Sequence, residues 1–308
     1  MPSGVVIPLW LDRPPLEAIE VGHTAEAHGY PEIWVGEMLH FDAFALATAL
    51  AVRTRVATIT VGPVAVGLRD PVGIAMGVGS VGVLGGRHAR LALGASTPVV
   101  VERWHGRTWG REQERMAEAI ARIRTVLAGR RTEHRGPHFR SQGFRSALGA
   151  VPAHISVAAL GRRMLEMAGA HADRVVMNLV TPTQVEEAMS RVQVPMAVWV
   201  VAGVEPAEDA WQQVRRQLAR YLAAPGYGEV LTKAGWGGLV TDARAGRPLS
   251  DLAAAMTTDE LARVTALGSR HDVEVVLDSY ERTGAEVMVV PVTAGDPGGA
   301  RTLRALSG

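Results

Sequence analysis

The sequence predicts an α/β fold in which eight parallel strands alternate with helices and close into a (β/α)8 barrel, the TIM-barrel arrangement. Three observations predict it. Short Val- and Ile-rich runs alternate with longer amphipathic stretches from end to end. The runs are mostly apolar throughout, as expected of strands covered on both faces. There are eight of them, the number that closes a barrel, whereas an open doubly wound sheet usually has fewer. The 308 residues, 47% of them hydrophobic, read as one domain over 1–308. A chain of this size buries roughly three-quarters of its unfolded surface.

The expected strands are 4–10, 32–35, 56–66, 89–94, 153–158, 174–178, 195–202 and 286–292. The expected helices are 15–28, 41–52, 71–84, 111–128, 162–170, 183–191, 208–223 and 271–283. Pro15 and Pro71 suit first helical positions, and Gly29 and Gly85-Gly86 suit helix stops. Two intervals exceed what a barrel needs: 129–150 after the fourth strand, and 203–270 between the seventh and eighth. Both read as insertions, the first an excursion above the barrel and the second several short helices before the last strand. The Gly-rich 73–86 stretch lacks the strand-to-helix context of a dinucleotide loop and falls inside the third helix.

Composition excludes several classes of function. Cysteine is absent, so disulfides, thiolate metal sites and a Cys nucleophile are excluded. No run of eighteen apolar residues indicates a membrane span, and the first ten residues lack the basic-then-apolar order of a signal peptide. A cytoplasmic location is the expectation. The net charge of +1 is spread along the chain without a concentrated basic patch, so no nucleic-acid partner is expected. Lys233, the only lysine, leaves little room for Schiff-base chemistry and lies in an expected exposed helix. His134 and His138 are separated by Arg-Gly-Pro, which is not helical spacing, so no metal site is expected there.

In such a barrel the reactive residues sit at the C-terminal ends of the strands. That rule nominates Trp10, the 36–40 segment, the 62–68 segment, Ala95, Ser96 and Thr97, the 159–163 segment and Asn178. Ala158, Ala159, Leu160 and Gly161 run from a strand into a helix that begins at Arg162. Small residues there let an anion reach free backbone N–H groups at a helix N-terminus. An ordinary turn using glycine for its φ freedom fits the same residues. Gly62, Pro63 and Val64 end the third strand, where a proline can merely stop the strand.

Several segments resemble luciferase-like oxidoreductases. They are EIWVGE at 32–37, VGPVAVGLRDP at 61–71, LGGRHARLALG at 84–94, VERWHGR at 101–107, ERMAEAIARIRTVLAG at 114–129, ISVAALGRR at 155–163 and MLEMAGAHADRVVMN at 164–178. Their order and spacing carry the resemblance. The branch most similar is the deazaflavin-dependent one related to methylenetetrahydromethanopterin reductase. The resemblance implies coenzyme F420 as cofactor, with FMN as the alternative, and a hydride passed to or from a small organic substrate. The other readings are an FMN-dependent monooxygenase fed by a separate cofactor reductase, and a non-catalytic cofactor-binding barrel. A homodimer through the helices 41–52 and 71–84 is implied as well.

The resemblance also implies residue roles. The cofactor's anionic tail would lie at Ala158–Arg162, with Arg163 adding charge. The 62–64 backbone, a bulge with a cis peptide in relatives, would support the central ring; a cis bond at Gly62–Pro63 costs little, whereas one at Pro63–Val64 costs about 3 kcal/mol. Glu37 would act near the reacting carbon, where an apolar mouth would favour its neutral, proton-donating form. It also fits a helix-start acid. Some relatives place His after this acid; here that position is Met38, and His40 is the nearest imidazole and second candidate. Relatives acting on sugar phosphates carry a carboxylate after the fourth strand, where this chain has Ser96-Thr97-Pro98. That departure counts against sugar-phosphate oxidation and leaves Ser96 and Thr97 to hydrogen-bond the cofactor. Asn178 either bonds the tail or forms a turn. Trp104-His105-Gly106 marks the subgroup, with a packing role expected for the tryptophan.

Overall fold

The computed structural model describes residues 2–37 and 39–308. The chain forms two compact units, Pro31–Val175 on one hand and Met1–Tyr30 with Val176–Gly308 on the other.

The contiguous unit is built on β2 (Glu32–Val35), β3 (Thr58–Ala65), β4 (Arg90–Gly94) and β5 (Ile155–Ala158), counting Gly4–Val6 as β1. These pair in parallel in sequence order. Helices Ala43–Ala51, Pro71–Leu84 and Glu112–Leu127 connect them. Asp42 caps the first through the Phe44 and Ala45 amides, and Asp70 caps the second through Gly73 N at 2.9 Å, with Pro71 in the first turn. The 73–86 glycines therefore belong to a helix, as expected.

Inside this unit a polar cluster occupies the sheet face at the N-terminal ends of the strands. Glu32 accepts from Arg174 at 2.6 and 2.9 Å, from Arg90 at 3.1 Å and from the Thr60 hydroxyl. Arg174 also donates to Ser156 at 3.1 Å and lies 4.7 Å from the Trp34 ring. Burial alone would raise the Glu32 pKa, but the Arg174 hydrogen bonds and charge outweigh it and hold Glu32 below the usual carboxylate range. Desolvation and the nearby Arg174 and Arg90 charges push His154 below the ordinary imidazole value.

The discontinuous unit holds β1, the last three residues of β6 (Arg174–Asn178), β7 (Met196–Val204) and β8 (Glu286–Pro291) in the order β6-β7-β8-β1. β7, β8 and β1 are parallel. A short ninth strand, Thr265–Gly268, runs parallel to the end of β7. Its apolar core includes Trp236, Leu222, Leu231 and Val214. Thr181 with Gln184, and Ser269 with Asp272, form capping boxes at two helix starts.

The expected strands are present with small shifts. The first is shorter than expected and ends at Val6, before Pro8, which has no N–H to continue a ladder. Both insertions are present; the hairpin in the first was not expected, whereas the second holds short helices as expected. The first contains an antiparallel hairpin, Glu133–Arg135 with Arg140–Gln142. The second contains short helices from Tyr227 to Ala262 and a π-helical turn at Thr232–Trp236 that carries exposed Lys233. A π-helix at Val99–Trp104 after β4 was not expected. Trp104 is 54% exposed, which corrects the packing role expected for it.

Candidate active site

In the contiguous unit, side-chain parity decides what the strand tips present. Glu32, Thr60, Arg90 and Ser156 meet in the polar cluster, so they share one face of the sheet. The next positions of that parity are Trp34, Gly62, Ala92 and Ala158, and beyond them Gly36 and Gly94. The C-terminal end of this face therefore carries three glycines and an alanine. Apart from Pro63, which lies against Gly94, this floor carries little side chain and suits a flat group.

The glycine at 62 is required by close approach. Its φ is +115°, and a Cβ there would lie 2.1 Å from the Ala92 carbonyl oxygen. The β3–β4 register shifts between Val61 and Val64, so this is a bulge, and the Gly62–Pro63 peptide is cis. Of the two readings of the 62–64 segment, the bulge holds. Pro63 sits against Gly94, its Cβ 3.1 Å from where a Cβ on Gly94 would be, and Val64 is buried beneath.

Ala158 and Ala159 lead to Gly161, which caps the helix Arg162–His171 in extended backbone without a side-chain hydrogen bond. Leu165 N makes the first bond of the helix, to Gly161 O. The amides of Arg162, Arg163 and Met164 thus point out of an open helix end. Nothing lies within 4 Å of a Cβ built on Gly161. Leu160 is half-buried, and Arg162 is exposed and bonds Glu166 at 2.7 Å. The residues present fit a cofactor with a planar ring and an anionic tail.

Glu37 does not stand in an apolar mouth. Arg69 grips it through two nitrogens and also bonds Asp42, and the Arg69 guanidinium lies 5.2 Å from the Phe44 ring. The Glu37 hydrogen bond is the main reason the Arg69 pKa rises. The expectation of apolar surroundings for Glu37 is corrected accordingly: Arg69 makes it an anchored acceptor. Arg69 lies within the 61–71 segment without a role legible in the sequence; its place just before the Asp70-Pro71 helix start is the signal that marks it. His40 is half-buried in the same loop, and Met38 lies outside the described residues.

Ala95 is half-buried, and Ser96 is exposed with φ +68°, an uncommon conformation for a residue with a side chain. Thr97 Oγ1 accepts from Val100 N at 3.4 Å, so it helps start the π-helix. His134 and His138 both engage Glu118, the first through its ring at 2.6 Å and the second through its backbone N at 3.1 Å.

In the discontinuous unit, Trp10 is buried and donates its indole N–H to Pro291 O at 2.9 Å. Asn178 ends β6 half-buried and hydrogen-bonds the Tyr227 side chain, whose pKa burial raises and this bond lowers in part. Tyr227 and Tyr221 rings lie 4.7 Å apart. Tyr227 was missed because it lies 49 residues from Asn178, within an insertion that has no strand pattern.

A family model for luciferase-like monooxygenases matches residues 8–286. The chain belongs to that family. This luciferase-like protein is 30% identical over 183 residues to 5,10-methylenetetrahydromethanopterin reductase of Archaeoglobus fulgidus, a match over 56% of this chain and 52% of the reductase. The chain thus spans about half the length of that curated relative. Among solved structures it resembles the coenzyme F420-dependent tetrahydromethanopterin reductase of Methanopyrus kandleri, with a TM-score of 0.82 at 14% identity, covering 100% of this chain and 98% of the other. It also resembles an FMN-bound type II Baeyer–Villiger monooxygenase, the oxygenating constituent of 3,6-diketocamphane monooxygenase from Pseudomonas putida. There the TM-score is 0.70 at 15% identity, over 100% and 97% of the two chains. The fold is a (β/α)8 barrel, and the luciferase-like relatives are redox enzymes by name.

Proposed function

We propose that this luciferase-like chain is a coenzyme F420-dependent oxidoreductase acting on a small organic substrate. The observation that carries the reading is the floor of Gly36, Gly62, Gly94 and Ala158 beside an uncapped helix end at Gly161. A bound deazaflavin supplies a hydride donor or acceptor that reacts poorly with dioxygen. The floor gives its ring room, and Pro63 and Val64 support it from the bulge. The Arg162, Arg163 and Met164 amides, with the Arg162 side chain, receive the negative tail. Ser96 and Thr97 add hydroxyls, and Trp10 and Asn178 keep their proposed parts in cofactor binding, Asn178 through the amide that Tyr227 orients. Glu37, fixed by Arg69, orients the reacting groups by accepting a hydrogen bond, and His40 is the nearest group for moving a proton.

The test is titration of the purified protein with coenzyme F420 and with FMN. Tighter binding of F420, and its reduction by an alcohol or its oxidation by an imine or enoyl substrate, is the expected result. Tight FMN binding with dioxygen uptake when a separate reductase supplies reduced flavin would give the monooxygenase instead. Binding without turnover across the panel would leave a non-catalytic barrel.

Assembly as a homodimer belongs to the same reading. Helices Ala43–Ala51 and Pro71–Leu84 contain no charged residue, yet Met76, Val83 and Leu84 are exposed. Sedimentation at micromolar concentration is expected to show two chains; a monomer at every concentration would remove the dimer. No helix among the described residues is long and apolar enough to cross a membrane.

A further inference from the structure

The insertion after β4 has a feature that the redox reading leaves unused. Residues 129–150 carry Arg130, Arg131, Arg135, Arg140 and Arg145 against a single acid, Glu133. Among the described residues none of these five arginines pairs with a carboxylate, whereas Arg69, Arg174 and Arg244 each do. The whole chain has a net charge of only +1, so this is a local concentration of positive charge.

The hairpin that carries it is anchored. Thr132 is 2% exposed, and its hydroxyl oxygen accepts from Ser141 Oγ at 2.8 Å and Phe144 N at 3.1 Å. Glu118 of the preceding helix takes His134 and the amides of His138 and Phe139. The inward face, His134 with Ser141, is thereby used up. The register sets Arg135 directly opposite Arg140 on the outward face. Like charges opposite each other destabilise an antiparallel pair. Arg135 is held by Gln142 Oε1 at 2.9 Å, and both arginines line an open cleft of about 470 Å³ with Gly136, Ser141 and Gln142.

We propose that this outward face binds a small molecule bearing two neighbouring anionic groups, phosphoryl or carboxylate. Facing positions on an antiparallel pair lie about 5 Å apart. Two guanidinium forks carried on strands at that spacing can each take one anionic group in bidentate fashion. The anion relieves the repulsion that the register imposes, and the anchored inner face keeps the strands that carry the forks in place.

Calorimetric titration of the full-length protein at low salt, with inorganic pyrophosphate and separately with tri-glutamate, tests this. Saturable binding of at least one is expected: pyrophosphate alone marks a phosphoryl ligand, tri-glutamate alone a carboxylate one. In the Arg135→Gln/Arg140→Gln double variant that affinity falls by about tenfold or more. A Lys233→Gln/Arg282→Gln variant removes the same net charge elsewhere and leaves affinity within about twofold. Failure of both probes to bind the wild type, equal binding to the 135/140 variant, or an equal loss in the 233/282 variant overturns the proposal. Both double variants change exposed positions, and their circular dichroism should match the wild type.

Discussion

Gly161 separates two jobs that a helix N-terminus can do. Elsewhere in this chain Asp42, Asp70, Thr181 and Ser269 spend a side chain on the first amides. At Gly161 nothing does, and an added Cβ meets open space. Gly161→Asp should therefore be tolerated and even stabilise the helix by roughly a few tenths of a kcal/mol. It also sets a carboxylate where the cofactor's negative tail is proposed to lie. The expected outcome is an unchanged or raised melting temperature with F420 affinity reduced by about tenfold or more. Unreduced affinity in this variant would remove the anion cradle from the site. The sequence offered this segment both as cradle and as ordinary turn; the helix start at Gly161 lacks a side-chain cap, as do those at Leu16, Arg111 and Ala207, so affinity in this variant is what separates the two. Glu37 shows the opposite case. Its position was legible, but the character of its surroundings was not, because Arg69 approaches from 32 residues away.

At the scale of elements, the alternation of apolar runs and helices was read closely because each element obeys a local rule. Asp70-Pro71 starts a helix by chemistry contained in four residues, and Asp70→Ala is expected to cost about 1 kcal/mol in urea unfolding. A loss near zero would mean that packing, not the cap, fixes that helix start. The π-helix at Val99–Trp104 and the 133–142 hairpin escaped the reading for a physical reason. They have no apolar period, and side-chain anchors such as Glu118 and Thr132 define the hairpin instead.

At the scale of the molecule, long-range polar pairs were the least legible feature. Glu32 and Arg174 lie 142 positions apart, and neither stands out in its own strand. Breaking a buried pair strands a charge, so Glu32→Gln should cost about 3–5 kcal/mol. The pair also sets a pH dependence. The folded-state pKa of Glu32 is depressed, so its contribution is full above the unfolded carboxylate value and is lost as pH falls through the lower, folded one. Wild-type stability should drop through that acid window, and Glu32→Gln should show a shallower drop. Parallel acid profiles for the two proteins would place the sensitivity elsewhere.

The division of the chain also sets an order of birth. Pro31–Val175 is one unbroken stretch, whereas the other unit needs both ends of the polypeptide. Tyr30 reaches the Leu303 carbonyl and Glu17 reaches the Gly298 amide, so the opening residues must wait for the closing ones. On a ribosome that wait lasts on the order of ten seconds. Nascent chains stalled shortly after 175 should resist protease through their middle while the leading segment is still cut, and release of the finished chain should abolish that asymmetry.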